Sequence, residues 1–198
     1  MKRSYSALLC SCAFLVGAVV MGYEIVGSRF LYPYFGGGIG TWASLISIVL
    51  LALAIGYYAG GQIVDRWQST NLLAIATGGS ALYLACVPAT VDRAMDFILA
   101  NFGDGPRGIL LASSALLIVP LSFLGTVSPI IVRLMTHSTA RVGRISGVVY
   151  AISTIGNVVG TLGTAFFLIP EIGSRTITYT FSATLAALSL IALSYNSR

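Results

Sequence analysis

The seventeen charged side chains of this chain, eleven Lys or Arg and six Asp or Glu, fall almost entirely in the gaps between long apolar runs. A helix of about 20 predominantly apolar residues crosses the hydrocarbon core of a bilayer. The runs at residues 7–26, 41–64, 71–90, 108–132, 145–169 and 176–195 each meet that length. The pattern predicts an all-α, polytopic membrane bundle of six transmembrane helices forming a single domain over 1–198, with the lipid bilayer as its main partner. Only 9% of residues are charged, against about 25% in a soluble domain. Six spans use nearly all the chain and leave no room for a soluble catalytic domain.

The connections assign an orientation. With the N-terminus inside, Lys2, Arg3, Arg66, Arg133, Arg141, Arg144 and Arg198 share one side with Asp65, while Arg29, Arg93, Arg107 and Arg175 take the other. The positive-inside bias then puts both termini in the cytoplasm of a bacterial inner membrane. It also accounts for the net charge of +5 without nucleic acid. Lys2-Arg3 before the apolar run from Ala7 is reminiscent of a signal peptide. The run stays apolar through Val20, however, and reads as an uncleaved first span. Cys10, Cys12 and Cys86 read as small, inert lipid- or core-facing residues rather than a disulfide framework.

Punctuation between the runs adds detail. Tyr32-Pro33-Tyr34-Phe35, Gly36-Gly37-Gly38 and Trp42 combine an aromatic belt with a turn. The glycines follow no strand and lack the GxGxxG spacing, so they do not read as a phosphate loop. Residues 93–104 place Met95, Ile98 and Phe102 on one face, predicting a separate short amphipathic helix on the outer interface. Pro120 and Pro129 are expected to bend the fourth span.

Few residues offer chemistry. Glu24 is the carboxylate expected inside a span, where charges are costly and functional by default. It is a candidate cation or proton site, or else a partner for a basic group such as Arg29 near the interface. Asn157, an amide in the fifth span, is the second candidate. Gly156, Gly160 and Thr164 repeat every four residues, and Gly56 and Gly60 do the same in the second span. These ridges let helices approach closely. Asp65 and Arg66 close the second span as a candidate cytoplasmic latch, and Arg133, His137, Arg141 and Arg144 form a basic stretch for gating or docking. A single histidine cannot build a histidine-based metal site, and Ser128 has no base within reach of a motif. No catalytic residue, metal or cofactor is expected.

Gly61-Gln62-Ile63-Val64-Asp65-Arg66 resembles the G-x-x-x-D-R loop between helices two and three of major facilitator superfamily transporters, although Trp67-Gln68-Ser69-Thr70 lacks the usual basic continuation. The glycines of the fifth span resemble that superfamily's fifth helix, with Thr161 where a proline is often found. Six spans with inward termini match half of that fold. A wider set is formed by residues 24–29, 56–66, 126–133, 142–160 and 168–173. Together these resemble the membrane domain of membrane-integrated spermidine-synthase-like proteins. That resemblance implies a membrane subunit or half-transporter acting with a separate soluble spermidine-synthase-like partner, or moving a small cation such as a polyamine. The soluble enzyme domain of that family has no counterpart here, so its activity is not implied. A homodimeric secondary transporter and a non-catalytic subunit of a larger membrane complex are the alternatives.

Overall fold

A computed structural model describes residues 3–136 and 142–196, with backbone only at Arg3, Ser4 and Asn196. Helices α1 (Arg3–Phe35), α2 (Ile39–Arg66), α3 (Asn71–Phe102) and α4 (Pro106–Gly125) are followed by the short α5 (Val127–Met135). Then come α6 (Val142–Gly163), a π-helical turn (Thr164–Leu168) and α7 (Ile169–Asn196). No strand occurs among the described residues. Five helical stretches there are long and apolar enough to cross a membrane: Tyr5–Phe35, Ile39–Arg66, Asn71–Phe102, Pro106–Met135 and Val142–Tyr195. The protein is therefore a multi-pass membrane protein in character. In hydrocarbon every backbone N–H and C=O must be satisfied within its own segment, which is why so apolar a chain is helical almost throughout.

The last stretch covers 54 residues, far more than a bilayer needs. Gly173 interrupts it with φ +72° and ψ 159°, a positive-φ, extended conformation open essentially to glycine alone. Helix directions follow from the contacts on either side. Gly156 lies on Phe14 and Gly160 on Ala18, so α6 runs parallel to α1. Arg175 reaches Asp92, Ser182 donates to the Ala81 carbonyl at 2.7 Å, and Ser189 donates to Ala74 at 2.8 Å. Beyond Gly173, α7 therefore runs antiparallel to α3. Since Tyr5 of α1 meets Thr70 before α3 at 3.0 Å, α1 and α3 point the same way, and the chain reverses at Gly173.

Beside the α3–α7 pair, two glycine seams hold the bundle. On α2, a Cβ at Gly56 would lie 2.7 Å from the Gly125 Cα, and one at Gly60 would lie 2.7 Å from the Thr126 Cα. On α6, a Cβ at Gly160 would lie 2.6 Å from the Ala18 Cα, and one at Gly156 would lie 2.9 Å from the Phe14 carbonyl carbon. Both pairs follow the small-xxx-small rule for close helix packing in lipid, and each of the four ridge glycines has the backbone of a facing helix against it. Ser44 bridges α2 to α4 by donating to Ser113 at 3.0 Å. The core between the seams holds Tyr23, Leu31, Leu45, Leu84, Met95 and Leu117, all fully buried.

Several expectations are corrected. Residues 93–104 are not a separate interfacial helix, because α3 continues unbroken through Pro88 to Phe102. The apolar stripe Leu84, Val87, Val91, Met95, Ile98 keeps helical spacing and stays buried, so no point of the helix favours a break. The fourth span does break, into α4 and α5 at Thr126. That position lies just upstream of Pro129, whose ring clashes with the carbonyl four residues back. Pro120, by contrast, sits inside a continuous α4. The hairpin at Gly36–Gly38 forms as expected, with Gly36 at φ +68°.

Candidate intramembrane site

Glu24 lies in the second half of α1 and is 7% exposed. Its direction follows from the helix period. Gly17, seven residues earlier, points within about 20° of Glu24, while Gly27 is about 60° away. Gly17 abuts Asn157, whose Oδ1 would lie 2.9 Å from a Cβ added there. Gly27 faces Leu45 of α2 and Leu117 of α4, each 3.5 Å from the same hypothetical atom. Glu24 thus projects between α6 on one flank and α2 with α4 on the other. Asn157 borders the same face about 10 Å nearer the termini. Neither residue forms a side-chain hydrogen bond or ion pair with another described residue.

Glu24 and Arg29 do not pair. Arg29 is exposed and lines a groove of about 340 Å³ with Tyr32, Trp42, Ala165 and Ile169, while Glu24 is absent from its walls. Five positions on a helix turn through about 140°, which points the two side chains apart.

At the opposite end of the bundle, Asp65 of α2 accepts a hydrogen bond from the Arg133 Nε of α5 at 3.2 Å. Sequence had placed both residues on this face without joining them. Their side chains are 73% and 39% exposed respectively, so the pair is a surface latch and not a buried one. Asp65 meets a guanidinium rather than the start of a neighbouring helix. Arg66 and Arg144 are exposed and form no ion pair among the described residues. His137 and Arg141 lie outside the described residues. No group of His, Cys, Asp or Glu able to hold a metal occurs among the described residues.

Two features had no clear sequence signal. The π-helical turn at Thr164–Leu168 carries the sequence TAFFL, which by composition suits an α-helix equally well. The second is a set of buried hydroxyls, on Tyr23, Ser80, Ser122 and Thr164, that have no hydrogen-bond partner. Thr164 opens the π turn and stands against Gly22, 2.7 Å from where a Cβ would be. Wide turns of this kind recur at functional sites, and unpartnered buried hydroxyls need a water or a ligand.

No family model, curated protein or solved structure matches this chain.

Proposed function

We propose that this protein is a six-crossing half-transporter of the bacterial inner membrane, with both termini cytoplasmic, that moves a small cation using the Glu24 carboxylate. The observation that carries this reading is Glu24 itself, 7% exposed and unpaired within an apolar helix. An unpaired carboxylate within a span is costly, by up to about 3 kcal/mol at the very centre on insertion scales. A bound cation or proton offsets that cost, and exchange of one for the other is the elementary act of a coupled carrier.

The helix pairing supports it. Counting α4 with α5 as one crossing and dividing the last stretch at Gly173, the first three crossings exchange with the last three. Under that exchange the α1–α6 seam becomes the α4–α2 seam, and both are parallel pairs closed by a Gly-xxx-Gly ridge. The α3–α7 pair maps onto itself. Because α1 and α4 run in opposite directions, the relation is an inverted repeat, the construction that places substrate sites at the repeat interface in secondary transporters. The resemblance to the spermidine-synthase-like membrane domain makes a polyamine the first substrate to test, and a soluble synthase-like protein the first cytoplasmic partner. Orientation rests on the basic residues Arg66, Arg133 and Arg144 sharing the termini's end.

A second copy is favoured as the missing half, because α6 leaves Gly143 and Gly147 with open space around them, nothing lying within 4 Å of a Cβ added at either. The test is uptake of labelled spermidine and of protons into proteoliposomes. Wild type should transport, and Glu24→Gln should reduce flux to background while leaving helix content intact. Undiminished flux in Glu24→Gln refutes the reading, as does the absence of cation flux in wild type.

A further inference from the structure

The groove beside Arg29 has walls of two kinds. One face of α1 supplies Ile25, Ser28, Arg29 and Tyr32, α2 adds Thr41 and Trp42, and the apolar Ala165 and Ile169 come from the π turn and the start of α7. Tyr32 is 61% exposed and Trp42 39%. Amphipathic aromatics of this kind sit at headgroup depth in a bilayer, which puts Arg29 in the phosphate layer. Arg29 makes no ion pair with a described residue. At the same end of the bundle Asp92 is already held by Arg175. The neighbouring hydroxyls are also engaged, since Ser28 donates to the Ile25 carbonyl at 2.8 Å and Thr41 to the Gly36 carbonyl at 3.0 Å. The guanidinium is the charged group of this groove, and it has no ion-pair partner among the described residues.

Guanidinium recognises phosphate through paired, charge-assisted N–H···O bonds. The apolar wall would be superfluous for a soluble phosphate, but it suits the upper methylenes of an acyl chain. Ala165 and Ile169 reach that wall from the π turn and the residue just after it, so the wide turn gives the groove its apolar side. We infer that this groove is a binding site for an anionic phospholipid, with the phosphodiester on Arg29, the glycerol region beside Trp42 and Tyr32, and an acyl chain along Ile25, Ala165 and Ile169. The site is separate from Glu24 and does not depend on transport.

Native mass spectrometry of the full-length protein in neutral detergent tests the assignment, with phosphatidylglycerol, diacylglycerol and sn-glycerol 3-phosphate as probes. Wild type should retain phosphatidylglycerol in preference to diacylglycerol. Arg29→Gln should weaken that retention about tenfold or more, and Arg29→Lys should lose less. Arg93→Gln, also exposed at this end but outside the groove, should behave as wild type. Circular dichroism and melting on the same samples separate lost binding from lost folding, and Trp42→Phe provides a second variant should Arg29→Gln fold poorly. Equal retention by wild type and Arg29→Gln overturns the site. Competition by sn-glycerol 3-phosphate at the concentration of the lipid overturns the lipid assignment in favour of a soluble phosphate.

Discussion

Substituting Gly160 by Ala tests the α1–α6 seam directly. The added carbon would lie 2.6 Å from the Ala18 Cα, whereas carbon atoms in contact settle at about 3.5–4.0 Å. The obstructing atoms are backbone, so no rotamer change relieves the clash and α1 must withdraw by about 1 Å. Overpacking of that kind costs about 1–3 kcal/mol. It outweighs the roughly 0.5–1 kcal/mol that alanine gains over glycine within a helix. Gly147 is the internal control, on the same helix with nothing within 4 Å of its added carbon, and there only the helix gain operates. Reversible unfolding in mixed micelles, followed by circular dichroism at dilutions that keep the protein monomeric, should show Gly160→Ala destabilised and Gly147→Ala stabilised, about 2 kcal/mol apart. Equal shifts of the same sign would mean that the seam is not close-packed, and the reasoning would fail.

Two further outcomes are expected. Gly173→Ala should lower stability by about 1–3 kcal/mol, because its backbone conformation is open essentially to glycine alone, measured by the same unfolding titration, and an unchanged midpoint would show that the reversal does not rest on this residue. A double-mutant cycle on Asp65→Asn and Arg133→Gln should give a coupling of about 0.2–1 kcal/mol that fades in high salt, and a larger, salt-insensitive coupling would contradict a surface latch.

Periodicity and charge placement made the helices readable. The ridges at Gly56, Gly60, Gly156 and Gly160 were readable too, because close packing in lipid leaves a spacing that survives in one dimension. What escaped depends on partners distant in sequence. The third apolar run ends at residue 90, yet α3 passes through Pro88 to Phe102; in a bundle, neighbouring helices can take up the backbone groups a proline frees. The wide turn at Thr164 has no compositional mark, since one extra residue per turn is imposed by packing. Arg29, Trp42 and Ala165 come from three separate helical segments, and nothing local announces their convergence. Glu24 was named from its charge alone, but its burial and its distance from Arg29's groove needed the fold.

The order in which the chain is made gives the α1–α6 seam a further meaning. Its two sides come from opposite ends of the sequence, so α1 enters the membrane with the small-residue face around Gly17 and the Glu24 carboxylate turned toward lipid. That face stays unmatched until α6 is synthesised. Synthesis therefore has a waiting period in which the costliest side chain of the first helix lacks its final surroundings. Insertion machinery or α2 and α4 must shelter it, and the arrival of the α6–α7 hairpin is the step that commits the bundle. Truncations that end before α6 should consequently be cleared by membrane quality control, even though their own helices are apolar enough to insert.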